Sequence, residues 1–397
     1  MQNSTADNRR IYLDNAATSW PKPEAVYRAV DDYQRFLGAP AGRSGYAEAI
    51  AVSHEVEATR ARVARLGGLD EPRHLIFTCN GTDSLNLAIH GLLGEGDHVV
   101  TTAIEHNSVL RPLEHLARDG RITVTRVACD GQGFVDPDEV RRALRANTRL
   151  VAISHASNVT GAVQPIAEIG RVAREAGALV LCDAAQSLGH MPLDVRELGV
   201  DLLAAAGHKG LLGPLGTGVL AIGPRAIGQL DSIRQGGTGT ESQLTSQPSE
   251  SPAMFESGNL NVPGILGLGA GVAFLEERGL DAIELEGRQL TARLLDAFRS
   301  VAGLRVLGPP DAQSRVPLVS IALDGYDPQE VALSLDAAHR IQVRAGLHCA
   351  PAMHASLGTA ESGGTVRFSL GPFTTAADID AAAEAVAELA ATASFDS

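Results

Sequence analysis

Between Arg73 and about Gly223 the chain alternates short apolar runs with longer amphipathic ones. The apolar runs at 74–78, 98–102, 122–127, 150–154, 178–182 and 201–205 are strand candidates. Helix candidates lie between them at 83–93, 109–119, 137–146 and 166–176. In the last of these, Ile166, Ile169, Val172 and Ala173 share one face, while Glu168, Arg171 and Arg174 turn away. Strands that alternate with crossover helices predict a mainly parallel sheet covered on both sides.

The pattern breaks at 236–252, a stretch rich in Gly, Ser, Thr and Gln with almost no apolar residue. It reads as a loop or exposed hairpin. Helical periodicity returns at 264–277 and 280–301, and again in the Ala-rich tail from 376 to about 391. Between them, 316–323, 341–344 and 365–369 predict strands of a smaller α/β unit.

Composition narrows the classes of function. At 397 residues there is room for two packed domains. Aromatic residues are only 4%, so Ala, Val, Leu and Ile must build the core. Thirty-three basic against 47 acidic residues leave a net charge of -14, which repels phosphate backbones and anionic lipid. Nucleic-acid and membrane partners are therefore not expected. The first ten residues lack the apolar stretch of a signal peptide, and no segment has the length to span a bilayer, so a cytoplasmic enzyme is expected. Of the four cysteines none forms a CxxC pair, and Cys129 and Cys182 sit in or beside apolar runs, as buried thiols do.

Ligands of open parallel sheets bind beyond the carboxyl ends of the strands. Five of the six predicted strand ends deliver polar or ionisable residues there: Asn80-Gly81-Thr82, Glu105-His106-Asn107, His155-Ala156-Ser157-Asn158, Asp183-Ala184-Ala185-Gln186 and Gly207-His208-Lys209. Taken singly, Gly81-Thr82 is a helix cap or an anion site, and Asp183 caps a helix or pairs with a cation. Gly207 and Gly210 beside Lys209 suggest a crowded backbone. Taken together, the groups match what pyridoxal phosphate (PLP) requires: a lysine for the Schiff base, a carboxylate for the pyridinium nitrogen and donors around the phosphate.

The chain resembles the class V aminotransferases, in their cysteine desulfurase and selenocysteine lyase branch. The resemblance begins at Tyr12-Leu13-Asp14-Asn15-Ala16-Ala17-Thr18 and runs almost to the C-terminus. Its most specific stretches are Glu105-His106-Asn107-Ser108, Asp183-Ala184-Ala185-Gln186, Gly207-His208-Lys209 and Arg344-Ala345-Gly346-Leu347-His348-Cys349. It implies a PLP-dependent transferase of fold type I, with an N-terminal segment at 1–20 packing on the small domain. A large PLP-binding domain at 21–262 and a small C-terminal domain at 263–397 carrying the Cys349 loop would follow. It also implies that Lys209 carries the cofactor, Asp183 pairs with the pyridinium nitrogen and Gln186 bonds the phenolic oxygen. His106 would stack on the ring, and Gly81, Thr82 and His208 would hold the phosphate. Asn158 would stand between cofactor and substrate, with Asn15, Arg344 and Arg367 as further substrate contacts. Arg367 suits a carboxylate because its planar fork binds both oxygens. Two positions depart from the family pattern. Ala206 stands where relatives often carry Ser or Thr, and Asn259 where they commonly carry a Thr that reaches the partner subunit's phosphate.

The cofactor alone leaves aminotransfer, racemisation and elimination open. Cys349 separates them, because a thiolate near cationic groups can attack the sulfur of bound cysteine. The reading is a cysteine desulfurase that makes L-alanine and a persulfide on Cys349, works as a homodimer and hands sulfur to an acceptor protein or thiol. Selenocysteine lyase and class V aminotransferase or epimerase are the alternatives on the same scaffold. A nucleotide-binding module that has lost catalysis would have no use for Lys209. No metal site is expected, since His339, His348, His354 and Cys349 have irregular spacing.

Overall fold

The computed structural model describes residues 9–393. A seven-stranded sheet forms the larger unit. Its strands are β2 (Leu75–Thr78), β3 (Asp97–Thr102), β4 (Ile122–Val127), β5 (Thr148–Ser154), β6 (Leu179–Asp183), β7 (Leu202–Ala206) and β8 (Gly218–Ile222). The first strand in the chain, β1 (Ile11–Tyr12), lies outside this sheet. The spatial order is β2-β8-β7-β6-β5-β3-β4. All neighbours from β7 to β4 run parallel, and β8 runs antiparallel to both β7 and β2. The six predicted strands all form and share one direction, so their carboxyl ends meet at one rim.

Alternate strand residues feed two cores, as the pleat requires. Val151, Ile153, Val180, Cys182, Leu203 and Ala205 belong to one, and Leu150, Ala152, Leu179, Leu181, Leu202 and Ala204 to the other. Helices α1 (Glu24–Asp32) and α2 (Ala47–Leu66) precede the sheet. Helices α3 (Gly81–Leu92), α4 (Asn107–Arg118), α5 (Pro137–Ala143) and α6 (Ile166–Glu175) connect its strands. In α6 the expected face is buried, with Ile166, Ile169, Val172 and Ala173 inside and Glu168, Arg171 and Arg174 exposed. Residues 236–252 form neither helix nor strand and are largely exposed.

Helices α7 (Val262–Arg278) and α8 (Leu280–Arg299) lead to the smaller unit. Its sheet comprises β9 (Leu304–Leu307), β10 (Leu318–Leu323), β12 (Arg344–Gly346) and β13 (Thr365–Ser369), all antiparallel in the order β12-β13-β10-β9. The run expected as one strand at 341–344 divides at Val343. Its first half, β11 (Ile341–Gln342), pairs in parallel with β1, and its second half is β12. Helices α9 (Pro328–His339), α10 (Pro351–Leu357) and α11 (Ala376–Ala393) complete the unit. A capping box starts α9, where Asp327 and Glu330 satisfy each other's backbone N–H groups behind Pro328. Although α7 begins at the expected domain boundary, it packs on α1 and α2, and Val262, Ile265, Leu268 and Val272 join the core of the larger sheet. The N-terminal segment reaches the smaller unit through the β1–β11 pair and through Leu13, which is buried in that unit's core. Residues 1–8 of the expected N-terminal segment and 394–397 of the expected C-terminal domain lie outside the described residues. Among the described residues no helix is long and apolar enough to cross a membrane.

Candidate active site

A cavity opens at the carboxyl rim of the parallel strands, where ligands of such sheets bind. Gly81, Thr82, His106, Asn158, Asp183, Gln186, His208 and Lys209 all line it. Sequence reasoning had singled out each of these eight for one ligand, and the fold brings them together from five separate strand ends.

Local structure explains each placement. Asn80 caps α3 by accepting the Asp83 N–H at 2.9 Å. The Gly81 and Thr82 N–H groups, at the first positions of the helix, have no intrahelical acceptor and point the positive dipole end toward the rim. His106 is the N-cap of α4. Asp183 ends β6, its Oδ1 accepting the Ala185 N–H at 2.9 Å. His208 and Lys209 follow β7, held by crowded glycines. A Cβ on Gly207 would stand 2.2 Å from Thr217 Oγ1, and one on Gly210 would stand 2.3 Å from the Leu188 carbonyl. From the other side the 18–22 segment clamps this turn. The Ser19 N–H and Lys22 Nζ donate to the His208 carbonyl at 3.0 and 2.9 Å, and Ser19 Oγ donates to the Lys209 carbonyl at 3.0 Å.

Burial sets the protonation states. The Lys209 amine is pushed down to about 8 by burial, with Asp183 opposing and Arg367 and Arg344 adding to the shift. Burial raises Asp183, with the Ala185 N–H and Lys209 acting against it. His106 and His208 are each held down to about 4, first by burial and then by cations including Lys209. His208 Nδ1 is buried with no hydrogen-bond partner among the described residues.

Of the residues implied for substrate and sulfur, Asn158 lines this cavity; Asn15, Arg344, Cys349 and Arg367 do not and stand beside it on the smaller unit and the N-terminal segment. Arg344 and Arg367 face each other across the β12–β13 pair. Buried Arg367 donates to the Asn158 carbonyl at 3.1 Å and pairs with Asp14 at 2.9 Å. Arg344 donates to the Cys349 Sγ at 3.6 Å. His348 and Cys349 have φ of 47° and 60°, two successive side chains in the left-handed region. Asn158 Nδ2 holds that turn by donating to the His348 carbonyl at 2.5 Å, and the Asn107 N–H holds it by donating to the Cys349 carbonyl at 2.8 Å. Asn15 is buried and braces the backbone, donating to the Ser369 carbonyl at 3.0 Å and accepting the Trp20 N–H at 3.2 Å.

Several contributors escaped the sequence reading. Glu105 is fully buried and accepts from Thr102 Oγ1 at 2.6 Å, the Ser154 N–H at 3.1 Å and Ser154 Oγ at 2.7 Å. Burial pushes its carboxyl up to about 7. Ser108 and Ser154 line the cavity. Glu105 and Ser108 flank His106 in a stretch already singled out, and that adjacency was the available signal. Asp14 likewise sits in a quoted stretch, beside Asn15, whereas Ser19 and Lys22 gave no signal, because the carbonyls they hold at 208 and 209 lie far along the chain.

Comparison with known proteins agrees with this geometry. The model of the aminotransferase class-V family matches residues 11–382. The chain is 38% identical over 385 residues to a probable cysteine desulfurase of Methanothermobacter thermautotrophicus, covering 96% of this chain and 94% of the relative. It is 36% identical to a probable cysteine desulfurase of Halalkalibacterium halodurans, with 94% and 91% covered. Among solved structures it superposes on the apo cysteine desulfurase of Thermococcus onnurineus with a TM-score of 0.91 at 33% identity, covering 96% and 95% of the two chains. An Escherichia coli cysteine desulfurase in its S-sulfonic acid form gives 0.86 at 29% identity, with the same coverage. With the match extending through the cavity, the arginine pair and the Cys349 turn, this chain belongs to the class-V aminotransferase family.

Proposed function

We propose that the protein is a PLP-dependent cysteine desulfurase that converts L-cysteine to L-alanine, takes the sulfur onto Cys349 and passes it to an acceptor protein or thiol. One observation carries the reading. A half-buried Lys209 shares one cavity with Asp183, while the Cys349 thiol stands beside Arg344 on the sheet that also presents Arg367. The names of the relatives support it.

The residues fit the family's cofactor. Gly81, Thr82 and His208, whose Nδ1 lacks a partner, would hold the phosphate. The hydroxyl missing at Ala206 leaves that end to helix N–H groups and imidazole. Asp183 would hold the ring nitrogen, Gln186 the phenolic oxygen and His106 the ring face. Bound there, PLP supplies an electron sink for charge developing at the substrate's Cα. Lys209, lowered to about 8, offers a neutral amine for covalent attachment near neutral pH. Arg367 would orient the substrate carboxylate, with Arg344 and Asn158 beside it and Asn15 bracing the backbone. The Cys349 Sγ then bonds to the substrate's sulfur as its Cβ–Sγ bond breaks. The electron pair stays with the carbon skeleton, which takes up a proton and leaves as alanine. The sulfur remains as a Cys349 persulfide.

The protein would act as a cytoplasmic homodimer. Exposed Tyr27, Phe36, Tyr46 and Ile50 lie within 24 residues of sequence, and Phe36, 74% exposed, is apolar surface that a second subunit would cover. The domain division would fall after α7, not before it.

The test is Cys349→Ala. The variant should keep its cofactor colour and its cysteine-dependent spectral change, while sulfide release falls to background. Mass spectrometry of unreduced wild type after cysteine treatment should find one added sulfur on the Cys349 peptide. Sulfide release at the wild-type rate from the Ala variant would end the desulfurase reading in favour of aminotransfer or lyase chemistry.

A further inference from the structure

We infer that His106 works as a neutral imidazole with its single ring proton fixed on Nε2, because Nδ1 is the N-cap acceptor of α4, and that it serves the reaction as a hydrogen-bond donor and not as an imidazolium acid. The role in the reaction rests on the desulfurase reading; the tautomer does not.

The argument follows the direction of the hydrogen bonds. The Ser108 backbone N–H lies 3.0 Å from His106 Nδ1 and can only donate. Nδ1 therefore presents a lone pair and carries no proton. Ser108 Oγ stands 2.8 Å from the same nitrogen, so its hydroxyl must donate to it as well. A lone pair of Ser108 Oγ is then free to accept the Thr82 hydroxyl, 2.7 Å away. A chain of donors thus runs from Thr82 through Ser108 to His106 and ends on Nδ1. With Nδ1 closed, the one proton of the neutral ring sits on Nε2.

The charged form is opposed on every count. A proton on Nδ1 would face the Ser108 N–H and undo the cap. The positive end of the α4 dipole disfavours a cation at this position. Lys209, Arg344, Arg367 and Arg111 bear on the ring as further positive charges. Burial, the largest effect, acts with them to hold the ring near 4, well below the ordinary histidine range. A neutral donor of this kind orients and polarises an oxygen or sulfur through Nε2–H without depending on pH across the physiological range. Ser108 is its positioning residue, holding the ring plane and the tautomer together.

The test reads the nitrogen directly. In protein labelled with 15N-histidine, with and without cofactor, long-range proton–nitrogen correlation should place His106 Nδ1 at the shift of an unprotonated ring nitrogen and Nε2 at that of a protonated one. Neither should titrate from about pH 5.5 to 8.5. His106→Asn both assigns the signals and separates the roles, since Asn caps helices well but lacks the Nε2–H. The variant should melt with wild type, keep its KM and lose about a hundredfold in kcat for sulfide release. A protonated Nδ1, a titration midpoint between about pH 6 and 8, or a His106→Asn kcat within about twofold of wild type would each overturn the inference. Wild type that releases no sulfide from cysteine would sink the desulfurase reading, and the nitrogen shifts, read without substrate, would still decide the tautomer.

Discussion

Replacing Glu256 by Ala should destabilise the larger unit by about 3–5 kcal/mol, because it strands a buried cation. The Arg60 side chain is 1% exposed and that of Glu256 5%. Their forks meet at 2.7 and 2.9 Å, Glu256 Oε1 also accepts the Phe77 N–H at 2.7 Å, and Arg60 donates to the Leu75 carbonyl at 2.6 Å. Without Glu256 the guanidinium keeps that carbonyl, solvent-exposed Glu57 at 3.2 Å and the Phe77 ring at 4.5 Å. The Phe77 N–H is orphaned at the same time, on the strand that leads to the Gly81 helix start. At about 2.1 cal/mol/K per residue, a cooperative unit of about 270 residues moves by roughly 1.8 °C per kcal/mol. Calorimetry should therefore show Tm lowered by roughly 5–9 °C. The double change Arg60→Met with Glu256→Leu removes both charges and should recover most of that loss. A drop below about 2 °C in the single variant, or a double variant as unstable as the single, would refute the reasoning.

Lys209→Ala should abolish covalent attachment of the cofactor, and borohydride reduction of wild type should leave the pyridoxyl group on the Lys209 peptide; a different lysine would overturn the site. Cofactor uptake by apoenzyme should follow the neutral amine, about one in ten at pH 7 against about one in three thousand for an ordinary lysine, so its rate should rise about fivefold from pH 7 to 8 and level above about 9. A rate still climbing tenfold per unit above about pH 9 would mean an unshifted amine. Sedimentation at micromolar concentration should give a dimer, and a fully active monomer of 41.4 kDa would remove the dimer proposal.

The cofactor half of the site was legible because its residues sit just beyond strand ends, and strand ends are what apolar periodicity locates best. The six parallel strands and the crossover helices were visible for the same reason. β8 was not, since it reverses direction after the long turn at 207–217 and no crossover helix announces it. Helix α2 was obscured by its own interior. Its buried face of Ala49, Val52, Val56 and Val63 is interrupted by buried Thr59 and Arg60. Arg60 can be buried only because Glu256 meets it from 196 positions away, and Thr59 only because Gly269 leaves room where a Cβ would stand 2.3 Å from its Oγ1. Polar residues with distant partners read locally as surface. The same limit hid the partner of Asp14, which meets Arg367 across 353 positions.

That long-range pairing also explains why the substrate and sulfur residues stand outside the cavity yet are tied to it. The cofactor residues rise from the rim of the larger sheet, whereas Arg344, Arg367 and Cys349 belong to the smaller one. Asn158 makes two of the hydrogen bonds that cross between them, accepting from Arg367 and donating to the His348 carbonyl. The Asn107 N–H adds a third on the Cys349 carbonyl, one residue after His106 caps α4. The thiol's backbone is thus held by the same two strand ends that present Asn158 and His106 to the cavity. Two adjacent left-handed residues cost energy that only such ties can offset. The strain at His348 and Cys349 therefore reports that the sulfur-accepting turn is shaped by the cofactor site, and a shift of either strand end would move the thiol as well as the cavity wall.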